Sequence, residues 1–443
     1  MIGQAGQMVT QIVDNAMLGQ YDTTALAAAA FSQNVFNVFF IFGLGFSIGI
    51  TPLVGRANAA ENTQGMAHLL KASLTTNLGL TCLLFGGLLL LYPYLHLFGQ
   101  PKAVVLRAQE YYPWLISSLF PIMLFFTAKH FLDGAEYTKP MMFITIVGNL
   151  LNVLLNHMLI YGNWGAPELG LEGAAIATFT TRVVQGLGLI GFIFVAARYT
   201  HLKAHFLSGW LPLKTWKRLA SISVGIGFQL LVEVAAFSFG AILVGTLGDV
   251  PLASHQIAIG LASLTFLIAS GISTASTIRI SNLLGAGTTI RDIIRHNRAS
   301  VSMVVAFMSI TGITFMVFGR SLAELHSGES DVIELATTLL FITGIFQLFD
   351  GLQVQLGGIL RGFEDIKVPM LYATLSYLII GFGLGAFFTK VLDWGAAGMW
   401  IGFCLGLALM STLLVFRIRT VLRRYIKANQ LNHTADPDTA QLA

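Results

Sequence analysis

The segment GFSIGITPLVGRANAA at 45–60 returns as GISTASTIRISNLLGA at 271–286, an offset of 226 residues. The same offset sets Gly19 over Gly245 and Leu26-Ala27 over Leu252-Ala253. Farther along, LDGAEYTKPM at 132–141 corresponds to LRGFEDIKVPM at 360–370, and Trp164-Gly165 to Trp394-Gly395. A repeat at this scale decides the fold before any single element does. The chain reads as two related six-helix halves joined by a basic loop. Six is even, so both halves enter a membrane in the same orientation, as a parallel repeat about an axis along the membrane normal. Substrate sites in such proteins are expected between the halves, near the midplane.

Composition explains why these halves belong in lipid. Apolar residues make up 55% of the 443 and charged residues 10%, where soluble domains average about 25% charged. Mean hydropathy is +0.75. Nearly uncharged runs recur, each long enough to cross a hydrocarbon core of roughly 30 Å as a helix. The 46 glycines would weaken soluble helices; in lipid they let helix backbones approach closely. Twelve spans are expected, at about 1–19, 31–55, 69–97, 104–128, 139–161, 172–197, 216–247, 252–284, 299–319, 333–360, 368–390 and 395–416. The fold class is therefore an all-α polytopic membrane protein with two pseudo-symmetric six-helix lobes. The N-terminal lobe is 1–197, the inter-lobe loop 198–214, the C-terminal lobe 215–416, and a tail at 417–443 is basic and then polar, its end from Asn432 disordered. The chain starts at Met1 inside an apolar run, with no cleavable signal peptide, and its first span lacks its leading turns.

The net charge of +4 does not indicate nucleic acid, because the basic residues lie in short loops between apolar runs. Arg56, Lys71, Lys139, Lys203, Lys214, Lys217, Arg291, Arg295 and Arg298 are among 20 on one side, against Lys102, Arg107, Arg320 and Lys390 on the other. That asymmetry places both termini in the cytoplasm; the expected location is the plasma (inner) membrane, multi-pass. Cys82 and Cys404 both fall in apolar runs and read as buried thiols, not a disulfide or zinc site.

Ionisable groups at bilayer depth are costly and mark function. Glu233, in FQLLVEVAAFSFGAILVG at 228–245, and Asp350, in GIFQLFDGLQVQLGG at 344–358, lie mid-span. Each needs a proton, Na⁺ or an organic cation, the minimum chemistry of an antiporter. Phe346 lies one turn before Asp350 and Gln353 three residues after it. Asp14, in VDNAMLG at 13–19, lies nearer an interface. Asn149, Asn152 and Asn156 share the fifth span, the last two on one helix face. They either glue helices together or, with a carboxylate, hold a hard cation such as Na⁺. Arg182 faces a water-filled cavity, pairs with an acid or snorkels. His255 with Gln256 reads as an interfacial polar pair, and His157 stays open. The 33 phenylalanines and 14 methionines mostly pack helices or face lipid; a subset in the cleft would suit flat aromatic cations. Walker, His-Glu-x-x-His and nucleophile-elbow motifs are absent, so the chain reads as no enzyme, without cofactors, drawing energy from an ion gradient.

Taken together, these motifs resemble the multidrug and toxic compound extrusion (MATE) family, nearest its NorM-like branch, from the first residues to about 416. The resemblance rests on VDNAMLG, on TPLVGRANA at 51–59, LDGAEYTKP at 132–140 and NLLNVLLNHMLIYGNWGAPELGLEGAAIAT at 149–178. It continues through EVAAFSFGAILVGTLG at 233–248, ASHQIAIG at 253–260 and FQLFDGLQVQLGGILRGFED at 346–365. It implies a twelve-helix, two-lobed exporter of cationic, amphipathic small molecules working by Na⁺ or H⁺ antiport. By motif match, Glu233 and Asp350 resemble the C-terminal lobe's coupling carboxylates. Asp14, Asn152, Asn156 and Thr178 resemble the N-terminal lobe's cation site. Phe346 stands where NorM-like members commonly carry tyrosine, so a hydroxyl contact to cation or substrate is lost. The expected protein is a monomeric antiporter in contact with lipid. The rival reading is a flippase for lipid-linked oligosaccharides, which would need basic residues in its cavity.

Overall fold

The computed structural model describes residues 13–196, 199–207 and 212–434. All regular structure among them is helical. A short helix α1 (13–21) leads into α2 (Thr23–Ile48), α3 (Ile50–Ala59), α4 (Thr63–Leu91), α5 (Lys102–Ser117), α6 (Leu119–Gly134), α7 (Lys139–Tyr161) and α8 (Leu171–Val195). After α9 (Thr200–Leu207) come α10 (Leu213–Gly245), α11 (Asp249–Gly285), α12 (Ile290–Glu324) and α13 (Ser330–Gly362). The chain closes with α14 (Lys367–Ala373), a π-helical stretch Thr374–Phe382, α15 (Gly383–Lys390) and α16 (Gly395–Thr434).

Eleven rods among the described residues are long and apolar enough to cross a membrane. They match the second to twelfth expected spans one for one; the first, 1–19, lies mostly outside the described residues. The rods overrun the expected apolar cores, as in Lys102–Gly134 against 104–128. The apolar run marks only the part in hydrocarbon, while backbone hydrogen bonding carries the helix on into the interface. Arg417 to Lys427 therefore continue α16, which reaches Thr434; the rest of the polar tail, 435–443, lies outside the described residues.

Local chemistry sets the breaks. Asp22 caps α2 by accepting from the Thr24 amide at 2.9 Å, and Asn62 caps α4 by accepting from Gly65 at 2.7 Å. Pro113 lies inside α5. It lacks the N–H that would reach back to the carbonyl of Gln109, and the Tyr92 hydroxyl donates to that oxygen instead, at 3.4 Å. Ile310, Ile313 and Val317, at helical spacing on α12, are exposed. In water this stripe would be a liability; in lipid it costs nothing. Cys82 likewise sits on the exposed side of α4, and Cys404 is half-buried. Hydropathy alone does not separate a lipid-facing thiol from one packed among helices.

Two compact units emerge, Met1–Leu231 and Val232–Ala443. Their boundary falls inside α10 and not in the 198–214 loop. Contacts, not connectivity, decide this: a Cβ on Gly45 of α2 would sit 2.8 Å from Gly227 Cα, so the first half of α10 packs within the first unit. Part of the loop is itself helical, as α9, whose Phe206 stacks edge-on against Phe194 at 5.0 Å.

The repeat is visible as duplicated contacts. In the first unit the Thr51 hydroxyl donates to the His130 carbonyl at 3.1 Å. In the second, the Thr277 hydroxyl donates to the Gly358 carbonyl at 2.8 Å. A Cβ on Gly134 would meet Thr51 O at 2.7 Å, and one on Gly362 would meet Thr277 O at 3.1 Å. In LDG and LRG, then, the glycine admits the neighbouring helix, and the residue before it is free to differ. It is Asp133 in one unit, paired with Lys129 at 2.8 Å, and Arg361 in the other.

After α13, Asp365 accepts from Arg417 Nε at 2.6 Å and Nη2 at 2.9 Å, pinning the α13–α14 turn to α16. Asp365→Asn is expected to lower stability by about 1–2 kcal/mol, the scale of a charge-assisted hydrogen bond. Thermal unfolding of the detergent-solubilised protein checks it; parent-like melting would mean the fork contributes nothing.

Candidate functional site

Each unit holds its own polar cluster. In the second unit, α13 packs against α11, α12 and α16, so its polar side chains are enclosed by protein. Asp350 is 4% exposed, Gln353 2%, and Glu233 on α10 9%. Asp350 and Gln353 stand three apart on one helix face. The Gln353 amide nitrogen donates to Glu233 Oε1 at 3.2 Å and to Asp350 Oδ1 at 3.4 Å. One amide thus ties together two carboxylates from different helices. Two acids this close, out of water, require compensation by a proton, a cation or a buried base.

Two residues not singled out in the sequence contribute. The positive charge of Arg361 acts on Glu233, and its guanidinium donates to Ser273 Oγ at 3.3 Å. Tyr377 turns its hydroxyl toward Glu233, yet that buried oxygen has no hydrogen bond of good geometry. Tyr377 lies on the π-helical stretch, whose wider turn re-aims side chains and recurs at functional sites. Arg361 carried a signal, a base closing the tenth span where the other half has Asp133. Tyr377 was one aromatic among many in an apolar run.

Phe346 is placed differently from its neighbours. It is buried among aromatic rings, 5.4 Å from Trp400 and 6.1 Å from Phe237 by centroid. His255 joins the same group, tilted against Trp400 at 5.7 Å, while Gln256 is exposed. The expected interfacial pair is thus one core ring and one outward amide.

In the first unit, Asn156 on α7 donates to Asp14 Oδ1 on α1 and to Asn152 Oδ1 at 3.3 Å. The Thr178 hydroxyl on α8 is directed at the same carboxylate. All four residues of the expected set therefore meet. Asp14, Asn149, Asn152 and Thr178 line a cavity of about 150 Å³ with Tyr111 and Arg182. Arg182 donates to Ser118 Oγ, lies 5.4 Å from the Phe36 ring centroid and acts electrostatically on Asp14. Of its three readings, facing a cavity is the one the geometry shows. His157 is peripheral, its Nε2 meeting Asn163 Nδ2 at 3.0 Å near the end of α7.

A family model described as MatE matches residues 1–158 and 226–387. The chain belongs to the MatE family. A probable multidrug resistance protein NorM of Rhizobium meliloti (strain 1021) is 33% identical over 436 residues, covering 95% of this chain and 91% of that protein. The multidrug resistance protein MdtK of Yersinia pseudotuberculosis is 30% identical over 428 residues, covering 94% and 92%. The fold agrees with that of solved MATE structures. The crystal structure of MATE in the bent conformation gives a TM-score of 0.88 at 19% identity, covering 97% of this chain and 94% of that one. The eukaryotic MATE transporter AtDTX14 gives 0.84 at 19% identity, covering 96% and 95%. As a MatE protein, then, this chain folds as an all-α polytopic membrane protein with a carboxylate-bearing polar cluster in each unit.

Proposed function

We propose that this MATE protein is a secondary antiporter of the inner membrane that exports small, amphipathic organic cations in exchange for Na⁺ or H⁺ by alternating access. The observation that carries the reading is the single Gln353 amide shared by Glu233 and Asp350. A buried pair of acids tied in this way takes up positive charge, and coupling ion and organic cation then compete for it. Exchange follows from that competition, because each ligand favours the state that binds it better. The multidrug resistance names of the NorM and MdtK relatives agree with such cargo. We read the chain as a carrier and not an enzyme, monomeric, with both termini in the cytoplasm and two lobes following the repeat.

The first unit's cluster favours a hard cation as the coupling ion. The Asn156 amide presents its nitrogen to Asp14, while its own oxygen, like the Asn152 nitrogen, is buried without a partner. Turning that amide over would bring oxygens of Asp14, Asn152 and Asn156 to one point, stable only around a cation. Arg182 is the resident positive charge that an incoming Na⁺ would have to displace.

Proteoliposomes loaded with a fluorescent cationic dye test the proposal, with Na⁺ and pH gradients imposed separately. Dye movement driven by one gradient and insensitive to ATP is the expected result, and the effective gradient names the ion. Absence of movement under both gradients, in folded protein, would sink it. One observation favours the rival in that event: the Arg182 guanidinium in the first unit's cavity suits a phosphate, as in a lipid-linked oligosaccharide flippase.

A further inference from the structure

A second cavity in the first unit shares no lining residue with either polar cluster and is lined by residues from the basic loops assigned to the cytoplasmic side. Its volume is about 350 Å³, and its lining includes Arg56, His68, Lys214 and Arg218. None of its lining residues is acidic. It is formed where α3 ends and where α4 and α10 begin, so two positive helix ends face one negative one and the balance stays positive. Asn62 and Gly65, the capped start of α4, form part of its wall. Fold symmetry does not demand this charge: by the 226-residue offset, Arg56 corresponds to Asn282 in the other half.

We infer that this cavity binds the phosphate of an anionic phospholipid headgroup. The first turn of α10 selects a lipid over a soluble phosphate. On it, Leu213 is 64% and Trp216 39% exposed, flanking Lys214 with apolar surface at the level where a tryptophan anchors to an interface. Cations beside a membrane-facing apolar edge match a molecule whose phosphate and acyl chains are joined. The docking would hold the α3–α4 turn against the start of α10, two segments that pack within the same unit. The inference stands independently of what the protein transports.

Native mass spectrometry of the full chain in detergent tests it, with dioleoylphosphatidylglycerol and dioleoylphosphatidylcholine added in turn. The parent is expected to retain one phosphatidylglycerol in preference to phosphatidylcholine. Lys214→Gln should weaken that retention about fivefold, and Lys214→Gln with Arg218→Gln on the order of twentyfold, at about 1 kcal/mol for each basic residue. Both side chains are exposed, so the variants are expected to fold, and Lys217→Gln serves as a control for nonspecific charge. Equal retention by the double variant, or an equal loss in Lys217→Gln, would overturn the assignment. So would displacement of the lipid by millimolar inorganic phosphate alone, which would make this a site for soluble phosphate. These outcomes are read without any transport assay, so failure here and failure of the antiport reading are distinguishable.

Discussion

Asp350→Asn and Glu233→Gln should each reduce gradient-driven dye efflux by roughly thirtyfold or more, with folding preserved. Both substitutions keep size and hydrogen-bonding shape and remove one of the two negative charges that share Gln353. Removing the carboxylate partner of a buried bound cation costs on the order of 2–5 kcal/mol of its binding, and 2 kcal/mol is about thirtyfold. In Asp350→Asn the remaining acid still faces Arg361, so an internal ion pair can form where the coupling ion would bind. Folding should survive, because an amide in place of a carboxylate removes a desolvation cost. The measurement is dye efflux from proteoliposomes at matched protein content, with the elution profile on size exclusion as the check on folding. Parent-like pumping by both variants would remove Glu233 and Asp350 from the coupling role.

Gly402→Val is expected to be the most damaging change to the fold. A Cβ on Gly402 would lie 2.3 Å from Gly385 Cα and 2.6 Å from Gly381 O. One on Gly406 would lie 2.5 Å from Ser376 O. Gly381 with Gly385, and Gly402 with Gly406, are two small-x-x-x-small pairs that bring α16 against the π-helical stretch and α15. Every one of these obstacles is backbone, so nothing flexible can yield. Overpacking ordinarily costs about 1–3 kcal/mol and more where the neighbour is rigid; we expect at least 3 kcal/mol, seen as lost monodisperse protein or a large fall in melting temperature. Gly79→Val is the control, since a Cβ at Gly79 meets nothing within 4 Å. Parent-like melting of Gly402→Val would refute the tight seam. The same stretch carries Tyr377, so a milder Gly402→Ala should also disturb the hydroxyl facing Glu233.

How legible the site was depended on the type of signal. Glu233, Asp350 and Asp14 stood out because a charge in an apolar run is expensive wherever its side chain points. Gln353 stood out because three residues on a helix is one face. Arg361 and Tyr377 did not. A base near a span end reads as a topology signal, and a tyrosine in lipid is ordinary; each acquires meaning only from what it faces. Phe346 shows the converse. Its position one turn before Asp350 suggested cation or substrate contact; its ring packs against Trp400 and Phe237, neighbours on α16 and α10 that the periodicity of α13 does not reveal.

By itself, the sequence determined that this chain is an all-α membrane protein built on a repeat, and which side chains carry charge into the apolar runs. Both follow from solvation: the bilayer penalises unpaired backbone and charge so heavily that composition and spacing report them directly. Only the tertiary structure decided where the helices break, that the first half of α10 belongs with the first unit, and that Gln353 spans two acids while Asn156 turns its nitrogen to Asp14. Those outcomes depend on distances between residues far apart in the chain, set by glycine-level packing of one helix on another, and no local pattern encodes them.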